Sequence, residues 1–203
     1  MSETSIPIPS HHMSYAQFAD RLVKSSNIRR YKLKLIGIDE FEKIGLEYPV
    51  YKVTINKGAK RKFCIVAGVH GYEVAGPLSL LYFLEEGKIF RDNDIEYTIF
   101  PMINPTSFDL KQRFNDKGSD VNALYKTTLE SENYTEIQLF YNEIEKKTFD
   151  VFLSLHEDID ESTYYAYIFE KERQKIYRSL LHAVSKVMPI TQKSVIEGDE
   201  LDR

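Results

Sequence analysis

Two histidines and one glutamate follow apolar runs of the sequence, and their side-chain types suit a metal site. His70 and Glu73 come just after the run 63–67, and His156 comes directly after the run 150–155. The three-residue spacing of the first two places them on the same side of a tight turn. Two imidazoles and one carboxylate, with a fourth position open to water, are the ligand set of a catalytic zinc. Such a zinc acidifies its water and polarises a carbonyl group.

Each half of this ligand set also has an ordinary interpretation. His-x-x-Glu arises often by chance, and a lone histidine after a strand is usually a hydrogen-bonded polar residue. The single cysteine, Cys64, excludes an internal disulfide and a cysteine-based zinc cluster, so a metal would need histidine and carboxylate ligands. Cys64 lies inside an apolar run, which favours a buried structural thiol over a nucleophile.

Composition narrows the class of protein. The chain has 203 residues, 27 Lys+Arg and 31 Asp+Glu, and a formal charge of -4. This balance is typical of a globular protein and argues against a nucleic-acid or membrane partner, since both need clustered cations. No stretch of about 18 apolar residues is present, so we expect a cytoplasmic protein. We expect residues 1–12 to form a loose tail and residues 13–203 to form a single domain.

Hydrophobic periodicity predicts alternating helices and strands. The predicted helices are 14–27, 74–86, 137–144 and 176–187, and the predicted strands are 31–36, 50–55, 63–67, 97–103, 150–155 and 164–169. This alternation predicts an α/β fold, with a mixed, mostly parallel sheet sandwiched by helices and antiparallel strands near the N-terminus. Ligands collect at the carboxyl ends of the central strands of such sheets. The polar stretch 104–129 is too long for an ordinary connection and is predicted to be structureless. A structureless segment of that length in a compact domain is usually functional.

The segment 101–125 carries a specific pattern. It contains Asn104-Pro-Thr-Ser107, Arg113-Phe-Asn115 and Gly118-Ser-Asp120-Val-Asn122-Ala123. Together with His70-x-x-Glu73 upstream and His156 downstream, it resembles the zinc carboxypeptidase superfamily, which includes the succinylglutamate desuccinylase/aspartoacylase branch. Order, spacing and strand context agree with the pattern of that superfamily over about residues 60–170.

The resemblance implies a role for six residues. It implies that His70, Glu73 and His156 hold one zinc ion per chain. Arg113 matches the arginine that stabilises the oxyanion, and Asn122 matches an asparagine that helps to hold the substrate carboxylate. Asp120 matches an aspartate that orients the first histidine. The resemblance implies a zinc metallohydrolase of the metallocarboxypeptidase or N-acyl amino acid deacylase type, acting on a small molecule or a peptide.

Three departures from the pattern bear on specificity and competence. Ala123 stands where the superfamily usually has an arginine that clamps a terminal carboxylate, and a methyl group offers no such partner. Ser107 replaces the usual glycine after Asn-Pro. The general-base glutamate of the superfamily lies farther along the chain than residue 203, so we expect a chain that lacks the final strands of the fold. Glu157 and Asp158, directly after His156, could substitute as a base, although such carboxylates more commonly orient nearby groups or face solvent.

Three functional hypotheses remain. The first is a zinc-dependent hydrolase of an amide bond in a peptide or an N-acyl amino acid, with Arg113 stabilising the oxyanion. The second is a non-catalytic zinc-binding module of the same fold, which the absent base and the altered position 123 favour. The third takes Gly68-x-x-Gly71-x-x-x-x-Gly76 as a phosphate-binding loop, although it lacks the usual nucleotide-binding patterns. The sequence does not determine the oligomeric state.

Overall fold

The computed structural model describes residues 13–41, 44–88, 90–122, 135–169, 176–193, 195–196 and 199–200. The predicted tail 1–12 lies outside the described residues. The chain divides into two compact units, Met1–Glu157 and Asp158–Arg203. Within the described residues, every helix is too short or too polar to cross a membrane.

Among its described residues, the first unit contains four helices and five strands. The helices are α1 (Tyr15–Arg29), α2 (Ala75–Glu86), α3 (Pro105–Leu110) and α4 (Thr135–Ile144). The strands are β1 (Lys32–Phe41), β2 (Leu46–Ile55), β3 (Arg61–Val66), β4 (Ile95–Phe100) and β5 (Val151–Ser154). The second unit contains α5 (Ile176–Val184) and the short strands β6 (Val195–Ile196) and β7 (Asp199–Glu200), which pair with each other.

The five strands of the first unit form one mixed sheet in the order β1-β2-β4-β3-β5. β1 pairs antiparallel with β2, and β2 pairs antiparallel with β4. β3 pairs parallel with both β4 and β5. The predicted fold class is confirmed, with the antiparallel pairs formed by the N-terminal strands. β3 lies between two parallel neighbours, as its wholly apolar run predicts.

Alternate residues of β3 pack into two different cores. Phe63 and Ile65 pack against the core that contains apolar residues of α1, α2 and α3. Cys64 and Val66 belong to a second core, which includes Ile137 and Phe140 of α4. Because successive residues of a strand point to opposite faces, helices cover both faces of the sheet. Burial raises the pKa of the Cys64 thiol to about 12, which agrees with a structural role.

Two of the predicted elements are wrong. Residues 164–169 are not a strand, because Tyr164 forms only an isolated bridge with Ile190 and no ladder of backbone hydrogen bonds follows among the described residues. The stretch 104–122 is not structureless, because α3 begins at its start. The Asn104 side chain accepts a hydrogen bond from the Ser107 N–H, and Pro105 occupies the first turn, where proline is favoured. The remainder of the predicted long connection, 123–129, lies outside the described residues.

Candidate metal centre

The three predicted metal ligands converge on one point of the first unit. The Nδ1 atom of His70 lies 2.6 Å from Oε1 of Glu73, and the Nδ1 atom of His156 lies 2.9 Å from Oε2 of the same carboxylate. Ligand atoms of all three residues lie within 4.8 Å of one another. His70 and Glu73 are buried, whereas the His156 side chain is 33% exposed. The cluster is therefore open to solvent on the His156 side.

The sheet brings the two halves of this cluster together. His70 and Glu73 lie between the end of β3 and the start of α2, and His156 lies two residues beyond the end of β5. Because β3 and β5 are parallel neighbours, their carboxyl ends meet at one edge of the sheet. The turn after β3 passes close to the backbone of α3. A Cβ atom on Gly71 would lie 1.9 Å from the Ser107 backbone, so only glycine fits at this position.

The outer nitrogen of each histidine ring has a partner of its own. The Nε2 atom of His70 lies 3.1 Å from Oδ1 of Asp120, and the Nε2 atom of His156 lies 3.1 Å from the Ser154 hydroxyl. A hydrogen bond at one ring nitrogen fixes the tautomer and the orientation of the other. Both Nδ1 atoms are therefore presented to the Glu73 carboxylate.

Asp120 also holds the predicted oxyanion residue. The Nε atom of Arg113 donates to Oδ2 of Asp120 at 2.9 Å, and the backbone N–H of Asn122 donates to Oδ1 at 2.9 Å. The side chain of Asn122 is exposed. Buried Asn115 shapes the same loop, since its Oδ1 atom accepts from the backbone N–H of Ser119 at 2.8 Å. The structure therefore brings Arg113 and Asp120 to the cluster, and places Asn122 beside it through its backbone.

The electrostatics of the cluster keep its carboxylates ionised. Burial would raise the pKa of Glu73, but hydrogen bonds from His156 and His70 outweigh it and lower that pKa to about 2. Burial likewise opposes ionisation of Asp120, and hydrogen bonds from His70 and Arg113 lower its pKa below the ordinary value. For His70, burial favours the neutral ring, but the hydrogen bond with Glu73 raises its pKa. The ionised carboxylates of Glu73 and Asp120 therefore favour the binding of a cation.

The donor set fits a zinc ion. Two imidazole nitrogens and one ionised carboxylate face one another, and imidazole and carboxylate are both ligands that zinc takes in catalytic sites. The orienting contacts from Asp120 and Ser154 match the outer hydrogen bonds that metal-binding histidines make. His70, Glu73 and His156 together would supply three protein ligands to such an ion, the number typical of a catalytic site that keeps one position open.

Two contacts of the site are not among the sequence predictions. The Tyr72 hydroxyl accepts a hydrogen bond from Nη1 of Arg113 at 3.1 Å. Tyr72 lies inside the His-x-x-Glu motif, and this position in the sequence is a signal that its side chain lies near the site. The second is the Ser154 contact with His156. The i, i+2 spacing in an extended segment places these two residues on one face and is the corresponding signal.

The two candidate bases after His156 have other partners. Oε2 of Glu157 accepts from the backbone N–H of Ala75 at 3.0 Å, at the start of α2. Oδ2 of Asp158 accepts from the Tyr165 hydroxyl at 2.9 Å. Both carboxylates therefore have structural roles. The Glu157 carboxylate also occupies the helix N-terminus that a phosphate-binding loop would offer to its ligand, which does not favour the phosphate-loop hypothesis.

Comparison with solved structures defines the class of fold. A candidate metallopeptidase from Shewanella amazonensis is similar over 92% of this chain and 73% of that chain, with a TM-score of 0.74 and 24% identity. A metallo-carboxypeptidase from Burkholderia cenocepacia is similar over 74% of this chain and 43% of that chain, with a TM-score of 0.61 and 18% identity. Bovine thrombin-activatable fibrinolysis inhibitor is similar over 89% of this chain and 75% of that chain, with a TM-score of 0.61 and 16% identity. The fold is therefore carboxypeptidase-like.

The family model for the succinylglutamate desuccinylase/aspartoacylase catalytic domain matches residues 59–192. The chain belongs to this family, within the zinc carboxypeptidase-like superfamily that the sequence motifs predict. The sequence matches no protein among those with curated descriptions. The family indicates a hydrolase of the desuccinylase/aspartoacylase type. The similar structures show that its fold is carboxypeptidase-like.

Proposed function

We propose that this protein is a zinc-dependent hydrolase of an amide bond in a peptide or an N-acyl amino acid. The observation that carries the proposal is the convergence of His70, Glu73 and His156 beside the guanidinium of Arg113. Asp120 joins the two parts, because one of its oxygens contacts His70 and the other accepts from Arg113. A candidate metal centre and the guanidinium of Arg113, both in contact with the Asp120 carboxylate, suit a reaction in which a carbonyl oxygen gains negative charge.

His70, Glu73 and His156 would hold the zinc, which when bound polarises a carbonyl group and lowers the pKa of water. Arg113 would stabilise the charge that develops on the substrate oxygen. Its side chain is 39% exposed, so a substrate can reach it, and its Nε atom is already committed to Asp120. A guanidinium held before the substrate arrives stabilises the transition state without first being reorganised.

The substrate class rests on the family and on position 123. Within the family, both the desuccinylase and the aspartoacylase names denote removal of an acyl group from nitrogen. Ala123, which lies outside the described residues, has no charge with which to clamp a terminal carboxylate. Exposed Asn122 is the residue nearest in sequence that could bind a substrate carboxylate. An N-acyl amino acid and a peptide are both compatible with this arrangement.

A second candidate function is a zinc-binding module without catalysis. The observation that favours it is that Glu157 and Asp158, the carboxylates that follow His156, are both engaged elsewhere. Arg113 argues against it, because a purely structural metal site does not need a cation that donates hydrogen bonds to an oxyanion. The two candidates predict the same metal content and differ in hydrolysis.

The test is zinc content by plasma mass spectrometry, combined with hydrolysis of N-acetyl and N-succinyl amino acids and of short peptides. We expect about one zinc per chain in the wild-type protein. His156→Ala, His70→Ala and Glu73→Gln should lose it. Arg113→Ala should keep the zinc and lose hydrolysis.

The matched control is His182→Ala, which removes an exposed histidine of α5. This variant should keep both the zinc and the activity. A full zinc content in His156→Ala would place the metal elsewhere and contradict the proposal. Zinc binding without hydrolysis of any compound in the panel would favour the non-catalytic module.

A further inference from the structure

The guanidinium of Arg113 is held at two of its three nitrogens. Nε donates to Oδ2 of Asp120 at 2.9 Å, and Nη1 donates to the Tyr72 hydroxyl at 3.1 Å. Within the described part of the chain, no hydrogen bond uses Nη2. A guanidinium is planar, so contacts at two of its nitrogens determine the orientation of its plane. The N–H groups of Nη2 therefore have a set direction before any ligand binds.

Tyr72 is itself held by the turn that carries the metal ligands. It lies between His70 and Glu73 in the sequence, and its backbone oxygen accepts from the Val74 N–H at 3.1 Å. Its ring lies nearly parallel to the His70 imidazole, with an angle of 7° between the planes and 6.2 Å between the centroids. The side chain is half-buried. The hydroxyl is thus presented from the same turn that carries His70 and Glu73.

We infer that Tyr72 is a positioning residue that fixes the Arg113 guanidinium relative to the candidate metal centre. The inference rests on the proposed function. Asp120 alone would leave the guanidinium free to swing about a single contact at Nε. The Tyr72 hydroxyl closes a ring of contacts that runs from His70 to Asp120, on to Arg113 and back to the turn. The candidate metal ligands and the Arg113 guanidinium are then held in one fixed arrangement before a substrate binds.

The geometry has a consequence for catalysis. The Tyr72 hydroxyl acts through Arg113, so its removal should impair the transition state more than the binding of the substrate. Small misplacements of a reacting or stabilising group cost up to about 100-fold in rate. We therefore expect Tyr72→Phe to lower kcat by about 10- to 100-fold, with KM changed by less than about threefold. Zinc content should stay at the wild-type level, because Tyr72 donates no ligand atom.

The experiment uses the zinc-loaded full chain and two readouts. The first is the rate at which phenylglyoxal modifies Arg113, followed by peptide mass spectrometry. Tyr72→Phe should increase this rate several-fold, because the guanidinium loses one of its two contacts. The second is the separate measurement of kcat and KM with the N-acyl amino acid or short peptide that the wild-type protein hydrolyses fastest. The matched control is Tyr82→Phe, which removes the hydroxyl of an exposed tyrosine on α2 and should change neither readout.

The two readouts separate the inference from the proposed function. If the wild-type protein hydrolyses nothing in the panel, the proposed function fails, but the modification rate still tests whether Tyr72 restrains Arg113. An unchanged modification rate in Tyr72→Phe overturns the inference. If that variant does not fold, nitrogen-15 spectra of the wild-type Arg113 side chain decide. Separate Nη1 and Nη2 signals support a restrained guanidinium, and merged signals overturn it.

Discussion

Asp120 should control zinc affinity although it is not itself a ligand. Its Oδ1 atom lies 3.1 Å from Nε2 of His70, whose side chain is only 2% exposed. Water therefore cannot readily replace this contact. Loss of an outer hydrogen bond of a metal-binding histidine usually lowers metal affinity by about 10- to 100-fold. We predict that replacement of Asp120 weakens zinc binding within this range while the fold is retained.

Asp120→Asn and Asp120→Ala should lower the zinc affinity by different amounts. Asp120→Asn removes the negative charge but keeps an oxygen that can accept from the imidazole, so we expect a loss of about tenfold, or about 1.4 kcal/mol. Asp120→Ala leaves Nε2 of a buried ring without its partner, which costs about 1–3 kcal/mol. For this variant we expect a loss nearer 100-fold. The contact with Arg113 adds less, because that guanidinium is 39% exposed.

Competition with a chromophoric chelator measures these affinities directly on the metal-free protein. The matched control is Asp20→Asn, because Asp20 is an exposed aspartate of α1 that pairs with Lys24 on the surface. It should bind zinc as the wild type does. Wild-type affinity in both Asp120 variants would refute the role assigned to this residue. A larger loss for asparagine than for alanine would refute the reasoning about the unpaired ring nitrogen.

Three further variants test the fold of the first unit. Glu157→Ala should lower the free energy of unfolding by about 0.5–2 kcal/mol, since the N–H of Ala75 loses its cap; urea titration measures this, and zinc content should not change. Gly71→Ala should lower the melting temperature by more than ordinary overpacking does, because the obstacle is the Ser107 backbone rather than a movable side chain. Glu136 is a buried residue of α4, and burial is the main cause that raises its pKa from the ordinary 4.5 to about 8, with a smaller contribution from nearby negative charge. The stability that its bound proton contributes is therefore lost as the pH rises from 4.5 through 8. Glu136→Gln should therefore raise the urea midpoint at pH 8 more than at pH 5, and equal shifts would contradict the assigned cause.

Most helices and strands of the first unit could be predicted from the sequence, because they follow local patterns of apolar residues. Alternation in 50–55 and the apolar run 63–67 predict strands that the structure contains as β2 and β3. The Ser14 capping box predicts the start of α1, and both reciprocal hydrogen bonds of that box are present. The aromatic and apolar run 164–169 misled the prediction of a strand, because a strand also needs a partner strand, which local sequence does not show.

The types of the chemical groups and their positions directly after apolar runs can be read from the sequence. The pairs of atoms that face one another depend on the packing of distant segments. Tyr72 meets Arg113 across 41 residues of chain, and Glu157 meets Ala75 across 82. The same packing turns the Nδ1 atoms, rather than the Nε2 atoms, toward Glu73. The physical reason is that such contacts depend on strand register and side-chain torsions, which are set by packing between distant segments and leave no periodic trace in the sequence.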